Sequence, residues 1–352
     1  MRTIALIGMA LTLAGTALGD KPAFTVGWSI YVGWNPYYYM NKSGILKRWA
    51  DKYGVTIKVQ RFDYAPSLDA YVAKSIDACT MTNMEALDMP AAAGVDTTAI
   101  ILGDYSNGND AVLVRNGLTF DKLAGKKVML VQKTVSEYLF ERGMTLSGSK
   151  DVLKRVKLVN TSDSDIAAAF LNNPSEEAVV TWKPLVSQIR KGKGITTIFT
   201  SAQIPGEILD LLVVRTDILR RPEGQNFAKA MTGAWYETMS QMSQPGPAAD
   251  KALRVVAEAS EDTLDSLKEQ LSTTHLFFTP QSAAQFLASA ELKQKMDLVR
   301  QFCFNHGLLG DGTGAADDVA ILYPDGAIQG KKDRVRFRFD PAYTQLAAQG
   351  KL

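Results

Sequence analysis

The feature that most constrains the fold is a regular alternation of short apolar runs with amphipathic segments of helical period. Phe24–Ile30 and Val55–Phe62 predict strands because they are apolar or rich in β-branched residues. Between them, Tyr37–Tyr53 predicts a helix that ends at Gly54, and a further strand is predicted at Thr97–Gly103. Strands that alternate with helices at this spacing form parallel sheets with right-handed crossovers. The sequence therefore predicts an α/β protein.

The alternation restarts after a polar loop, which indicates a second structural unit. Lys127–Val131 and Ala178–Thr181 are strand-like, and the chain becomes mainly helical after Arg221. A chain of 352 residues also exceeds the roughly 250–300 residues that one hydrophobic core supports. We predict two hinge-linked lobes, with chain crossings near Val112 and Leu212. Lobe one comprises residues 20–111 and 213–352, the latter with a C-terminal helical cap, and lobe two comprises residues 112–212.

The first 19 residues have the composition of an export signal. Arg2 precedes a largely apolar run over residues 4–18, and Ala17 and Gly19 are small residues suited to the positions before a cleavage site. We predict a signal peptide over residues 1–19. No cysteine follows it closely, so a lipid anchor is not expected, and no later segment reaches roughly 18 apolar residues. The expected location of the mature protein is the periplasm.

Composition and motifs argue against several functions. The formal net charge is +2, and removal of Arg2 with the signal lowers it to +1, which does not support binding to nucleic acid or to a membrane surface. His275 and His306 stand apart, without the spacing of a metal motif, and the sequence has no Gly-x-Ser-x-Gly element. We therefore predict no catalytic residue, no metal and no cofactor.

The two cysteines are far apart in sequence. Export makes a disulfide chemically possible. Cys79, however, lies in an apolar strand-like run and Cys303 in a helical segment. We expect two buried free thiols, and a disulfide remains the alternative.

Aromatic residues cluster where the first predicted strand ends. Thr25–Tyr39 carries Trp28, Tyr31 and Trp34 in a loop that Gly33 lets bend sharply. In α/β proteins the carboxyl ends of strands face the ligand crevice. These three rings are therefore predicted to contact a ligand.

The same topological rule nominates polar residues at other strand ends and helix starts. Together they are rich in acids, and the cationic residues among them are lysines only, Lys133 and Lys183. An anion site would instead place arginine, lysine or free helix N-termini on the ligand. Acidic ends with several rings suit a small cation or a neutral amide, because a ring can cover a cation's face. The predicted ligand-binding residues are Asn83, Glu85, Asp104 and Asp110 on lobe one, and Glu137, Trp182 and Glu207 on lobe two.

Two strings in lobe two are distinctive. They are FDKLAGKKVML (residues 120–130), at the entry strand, and VVTWKP (Val179–Pro184), at a strand end. At these motifs the chain resembles periplasmic substrate-binding proteins of ABC importers, in the nitrate, sulfonate, taurine and thiamine-precursor superfamily. The resemblance covers nearly all of the mature chain. It implies a type II periplasmic binding protein fold with two lobes that close on a solute.

Three longer strings are similar to a narrower branch. They are GWSIYVGWNP at Gly27–Pro36, MTNMEALDMPAAAGVDTT at Met81–Thr98 and GDYSNGND at Gly103–Asp110. Members of this branch are often described as urea importers and accompany urea- or guanidine-carboxylase operons. The chain departs from the branch at Val32, where proline is common, and at Tyr37-Tyr38-Tyr39, where the aromatic run is more mixed.

The resulting hypothesis is a monomeric, non-enzymatic solute-binding component of an ABC importer, with a membrane permease and an ATPase as partners. Guanidinium is the first candidate solute and urea the second. On closure, Trp182 and Glu207 are expected to meet a ligand seated against Trp28, Tyr31 and Asp104. The alternatives are another organic nitrogen or sulfonate compound such as taurine or a pyrimidine precursor, a thiamine-pyrimidine-synthase-like enzyme, or a binding module of a sensor.

Overall fold

A computed structural model describes residues 20–352, and the predicted signal peptide lies outside the described residues. These residues form fourteen strands. The strands are β1 (Ala23–Trp28), β2 (Thr56–Arg61), β3 (Ala78–Thr82), β4 (Thr97–Ser106), β5 (Ala111–Arg115), β6 (Lys127–Leu130), β7 (Lys157–Asn160), β8 (Ala178–Thr181), β9 (Ile195–Thr200), β10 (Leu209–Arg215), β11 (Thr274–Leu276), β12 (Ala320–Leu322), β13 (Ile328–Gln329) and β14 (Val335–Phe339).

Helices cover the sheets. A π-helical turn at Leu87–Ala91 follows the fourth α-helix, and four short 3₁₀ turns lie in loops. The α-helices are α1 (Pro36–Lys42), α2 (Ile45–Lys52), α3 (Tyr64–Val72), α4 (Asn83–Ala86), α5 (Val135–Leu146), α6 (Lys150–Leu153), α7 (Ile166–Asn172), α8 (Leu185–Ile189), α9 (Thr216–Leu219), α10 (Pro222–Ser243), α11 (Pro247–Glu258), α12 (Leu264–Leu271), α13 (Pro280–Leu287), α14 (Ala290–Asn305) and α15 (Ala342–Ala348).

The strands form two separate sheets, one in each lobe. The larger sheet has the order β13-β12-β14-β4-β10-β3-β1-β2, with β11 paired to β4, and the smaller has the order β7-β6-β8-β5-β9. The predicted two-lobed α/β fold is confirmed by this architecture. The chain passes to the smaller sheet between Ser106 and Ala111 and returns between Thr200 and Leu209. We call these segments the first and second crossings.

The strand that follows each crossing runs against its neighbours. β5 is antiparallel to β8 and β9, and β10 is antiparallel to β3 and β4, whereas β1, β2 and β3 are parallel. This direction follows from the topology, because each crossing enters its new sheet at the end where the parallel strands finish. The carboxyl ends of β1, β3, β4 and β8 therefore lie beside the amino ends of β5 and β10. This arrangement places the residues described below.

Several local predictions need correction. The segment Tyr37–Tyr53 is not one helix, because Ser43 and Gly44 separate α1 from α2 and Gly44 adopts φ +77°. The strand β11 lies in the part of the chain after Arg221 that is predicted to be mainly helical. Cys79 and Cys303 are free and buried, as expected.

Candidate functional site

A small cavity lies between the two lobes, next to both crossings. Its volume is about 20 Å³, on a scale in which one water molecule needs roughly 10–15 Å³. Such a space suits a molecule of few heavy atoms. The lining residues are Tyr31, Trp34, Tyr64, Thr82 and Asp210 from lobe one, Val135 and Trp182 from lobe two, and Asp110 and Ile208 from the crossings.

Four aromatic rings form a continuous wall of the cavity. The ring centroids of Tyr31 and Trp34 are 5.1 Å apart, and those of Trp34 and Tyr64 are 5.3 Å apart. Tyr64 then meets Trp182 of the other lobe edge-on at 5.8 Å. The Trp182 indole N–H also donates to the carbonyl oxygen of Ile30, at 3.3 Å. The lobes are therefore closed over the cavity by apolar surface from both sides.

Behind this wall, two carboxyl groups lie against each other. Asp104 of β4 and Asp210 of β10 are partners in the antiparallel register, and they are 0% and 3% exposed. The hydroxyl of Tyr31 donates to Asp104 Oδ1 at 3.0 Å, and Asn109 Nδ2 donates to that hydroxyl at 3.2 Å. One oxygen of each carboxyl, Oδ2, has no hydrogen-bond partner among the described residues.

The backbone of Gly33 fixes the position of this pair. A Cβ atom at residue 33 would lie 2.2 Å from Asp104 Oδ2 and 2.7 Å from a ring carbon of Tyr31. No real side chain tolerates such distances, so only glycine allows the aromatic loop to pack this close to the carboxyl pair. The glycine in the loop thus has a structural role beyond the bend that the sequence predicts.

A third buried acid, Asp110, lies in the first crossing. It is 3% exposed and lines the cavity, and it accepts a hydrogen bond from the Ser106 hydroxyl at 2.5 Å. We call Asp104, Asp110 and Asp210 the carboxyl triad. Within residues 20–352, the hydrogen bonds that the triad carboxyls accept come from neutral groups, and none of the residues that line the cavity is basic.

Burial controls the protonation of the triad. It raises the pKa of Asp104 to about 7 and that of Asp110 to about 7, because a charged carboxylate loses its hydration there. The pKa of Asp210 is raised well above its usual range by burial and then by the charges of Asp104 and Asp110. Near neutral pH the triad therefore holds protons that a cation could replace.

The structure brings Tyr31, Trp34, Asp110 and Trp182 to the cavity and puts Asp104 directly behind it. Trp28, by contrast, lies in a separate groove with Tyr38 and Arg61, and its ring is 6.5 Å from that of Tyr38. Asn83 is buried away from the cavity lining. Its side chain donates to the Glu207 carbonyl at 3.0 Å and accepts from the Leu209 N–H at 2.9 Å.

The three remaining predicted acids contact protein groups. Glu207 accepts from Tyr138 at 2.5 Å and from Arg142 at 2.8 and 3.0 Å. Glu137 is half-buried and accepts from the Lys133 backbone N–H at 2.9 Å. Glu85 is adjacent to the cavity, and both of its carboxylate oxygens accept hydrogen bonds from the protein. The expected closure of Glu207 onto a ligand beside Trp28 is therefore not the arrangement observed.

Sequence reasoning missed two important residues of the site. Tyr64 follows the carboxyl end of β2, so the rule that nominated Trp34 also applies to it. Asp210 lies near the amino end of β10, whereas the rule used on the sequence selects residues at the carboxyl ends of strands. The amino end of β10 lies at the cleft because this strand is antiparallel to its neighbours. That direction could have been predicted from a chain that returns to its first sheet.

Within residues 20–352, no group of three or more histidine, cysteine, aspartate and glutamate side chains is arranged to hold a metal ion. No helix in the same range combines the length and apolar character needed to cross a membrane.

These two lobes, with their crossed chain and intervening cleft, define the class: the chain has the fold of periplasmic solute-binding proteins. The alkanesulfonate-binding protein SsuA from Xanthomonas axonopodis pv. citri, bound to MOPS, is similar at a TM-score of 0.66 and 14% identity. That match covers 82% of this chain and 95% of the other. SsuA from Escherichia coli is similar at 0.65 and 15%, covering 82% and 94%. The nitrate-binding protein NrtA from Synechocystis PCC 6803 matches at 0.57 and 13%, covering 95% and 99%.

At these identities the similarity establishes the fold but not the ligand, which has to be argued from the chemistry of the cavity. No family model matches the chain, and no curated protein matches it.

Proposed function

We propose that the chain is the periplasmic solute-binding component of an ABC importer, and that its cleft takes a small planar solute rich in N–H groups. Guanidinium is the first candidate and urea the second. The closed form is proposed to deliver the solute to a membrane permease with its ATPase. The fold shared with sulfonate- and nitrate-binding proteins supports the solute-binding role.

One observation carries the choice of solute: the carboxyl triad is buried beside aromatic rings with no basic side chain among the lining residues. Buried carboxylates are normally paired with a cation. Guanidinium supplies positive charge and N–H donors all around its plane. Its flat face also suits a ring such as Trp34 or Trp182, a contact worth roughly 0.5–2 kcal/mol.

The same observation argues against an anionic solute. The similar proteins are named for sulfonate and nitrate, and anion sites need donors such as arginine, lysine or free backbone N–H groups. The lining here offers Asp110 and Asp210 instead. An anion would be repelled by either residue in its charged form.

Urea is the second candidate because of one donor. The indole N–H of Trp34, whose residue lines the cavity, is buried and has no hydrogen-bond partner among the described residues. Urea has a carbonyl oxygen that could accept this hydrogen bond, whereas guanidinium has no acceptor. The triad thus favours guanidinium and Trp34 favours urea.

Thermal shift and calorimetry on the mature protein test the proposal. The panel is guanidinium, methylguanidine, urea, nitrate, taurine and an aminopyrimidine, each at millimolar concentration with sodium chloride matched for ionic strength. At 100 times its Kd a solute stabilises the folded state by about 2.7 kcal/mol, which raises Tm by roughly 5–10 °C. We expect this shift for guanidinium, with a smaller one for urea. A shift for taurine or nitrate alone would overturn the proposed solute.

A further inference from the structure

Glu85 joins the two lobes at the edge of the cavity. It belongs to α4 of lobe one and is 0% exposed. Its Oε1 accepts a hydrogen bond from the backbone N–H of Val135, the first residue of α5 in lobe two, at 2.9 Å. Its Oε2 accepts from the hydroxyl of Thr82. The carboxylate is therefore held by lobe one and caps a helix of lobe two.

The N-terminus of α5 is suited to negative charge. The helix has twelve residues, and the Thr134 hydroxyl caps it by accepting from the Ser136 N–H at 3.3 Å. The N–H groups of a first helical turn and the helix dipole together attract anions. In this protein Glu85 of lobe one supplies a carboxyl group that accepts from the first N–H of α5.

The location matters for selectivity. Thr82 and Val135, which hydrogen-bond to the two oxygens of Glu85, both line the cavity. The Val135 N–H already donates to Glu85, so it is not free to donate to an anionic solute in the cavity. Glu85 also faces Asp110 closely enough for its charge to contribute to the raised pKa of that residue.

We propose that Glu85 is a specificity-determining residue, because its carboxylate occupies the α5 N-terminus and thereby excludes anionic solutes from the cavity. The inference rests on the proposed solute-binding function but not on guanidinium as the solute. The hydrogen bond from Val135 to Glu85 also joins lobe two to lobe one in the closed form, so Glu85 contributes to closure as well as to selectivity.

Nitrate and methanesulfonate are the probes, with binding measured by calorimetry at pH 6 on the wild type, Glu85→Ala, Glu85→Gln and Glu137→Ala. Glu137 is the matched control, since it is an acid in the first turn of the same helix and its carboxylate accepts a hydrogen bond from the backbone N–H of Lys133 in its own lobe. We expect no detectable anion binding by the wild type or Glu137→Ala. Glu85→Ala should bind nitrate at least ten-fold more tightly than either, and Glu85→Gln should lie between.

The inference is overturned if Glu85→Ala melts cooperatively and still binds neither anion. If Glu85→Ala does not fold, Glu85→Gln decides, and a nitrate affinity equal to that of the wild type rejects the inference. Guanidinium binding by the wild type tests the proposed solute separately. A wild type that ignores guanidinium, with a Glu85→Ala variant that gains nitrate, would reject the solute and keep the role of Glu85.

Discussion

Two groups of buried carboxylates lie near the crossings, and they are stabilised in opposite ways. Glu207 of the second crossing is 3% exposed and is bonded to Arg142 and Tyr138, with Lys295 Nζ 3.9 Å away. The carboxyl triad is buried to the same extent, yet only neutral groups such as Tyr31 and Ser106 donate to it among the described residues. One group is neutralised within the chain, and the other is not.

The difference separates structure from function. Removing a carboxylate from water costs several kcal/mol unless a cation or several hydrogen bonds replace the hydration. Around Glu207 the chain supplies the cation, so the folded state needs this carboxylate. The triad carboxyls instead bind protons near pH 7, because their pKa values are raised. A cationic solute can take the place of these protons. The sequence does not show which of these acids has a cationic partner, because the partners are set by the packing.

The largest expected effect is on stability, in Glu207→Gln. This change leaves Arg142, whose side chain is 23% exposed, without its carboxylate, and we expect the free energy of unfolding to fall by about 3 kcal/mol. The measurement is thermal unfolding by circular dichroism, because urea and guanidinium are themselves candidate solutes. Glu137→Gln is the control and should stay within about 0.5 kcal/mol of the wild type. A Tm for Glu207→Gln equal to that of the wild type would mean that the pairing of Glu207 with Arg142 does not stabilise the fold, and the contrast between Glu207 and the triad would be lost.

The next effect is on binding, in Asp210→Asn. Asparagine keeps the shape of the side chain and can donate to the unpartnered Asp104 Oδ2. The unliganded protein should therefore keep its Tm or gain stability, while guanidinium affinity falls about 100-fold, or roughly 2.7 kcal/mol. Calorimetry at pH 8 measures the affinity, and Glu207→Gln, studied well below its Tm, should bind within about three-fold of the wild type. Wild-type affinity in Asp210→Asn would exclude the triad as the cation site.

The triad also predicts a pH dependence with a definite sign. The pKa values of Asp104 and Asp110 are about 7 in the folded protein and about 3.9 in an unfolded chain. Between these values the folded state holds more protons than the unfolded state. Stability of the unliganded protein therefore falls as pH rises from about 4 to 7, by up to about 4 kcal/mol for each carboxyl.

A cation displaces these protons, so guanidinium affinity has the opposite trend. For the protons on Asp104 and Asp110, affinity should rise with pH up to about 7, by up to ten-fold per pH unit for each proton released. Calorimetry at pH 6 in buffers of different ionisation enthalpy counts the released protons, and the binding of uncharged urea should release fewer. Guanidinium binding without proton release would mean that the triad is already charged before the solute arrives.

The lobes and most of their strands could be predicted because apolar periodicity is local information. The alternation from Phe24 onward predicts β1 to β4, and the restart predicts a second sheet, since a parallel strand needs a helical crossover before the next. The helix break at Gly44 and the short strand β11 depend on the surrounding packing. Neither has a strong local signal in the sequence.

The residues of the candidate site also divide into those with a local signal in the sequence and those that depend on packing. Trp34 and Trp182 reach the cavity because strand ends face the cleft, a rule that sequence alone can apply. Trp28 satisfies the same rule but lies in another groove, because the sequence does not fix where the following loop turns. The partnership of Glu207 with Arg142 and that of Asp104 with Asp210 both join segments far apart in the chain. Such pairings follow from tertiary structure alone.

The smallest expected effect distinguishes the two candidate solutes. In Trp34→Phe the ring stays but the unpartnered indole N–H is lost. One neutral hydrogen bond contributes roughly 0.5–1.5 kcal/mol, so urea affinity should fall by about three- to ten-fold. Guanidinium has no acceptor for that N–H, so its affinity should change by less than about two-fold. Competition calorimetry with both solutes measures the ratio, and Trp28→Phe, in the separate groove, is the matched control. An equal loss for both solutes would mean that Trp34 acts through its ring surface and gives no preference for urea.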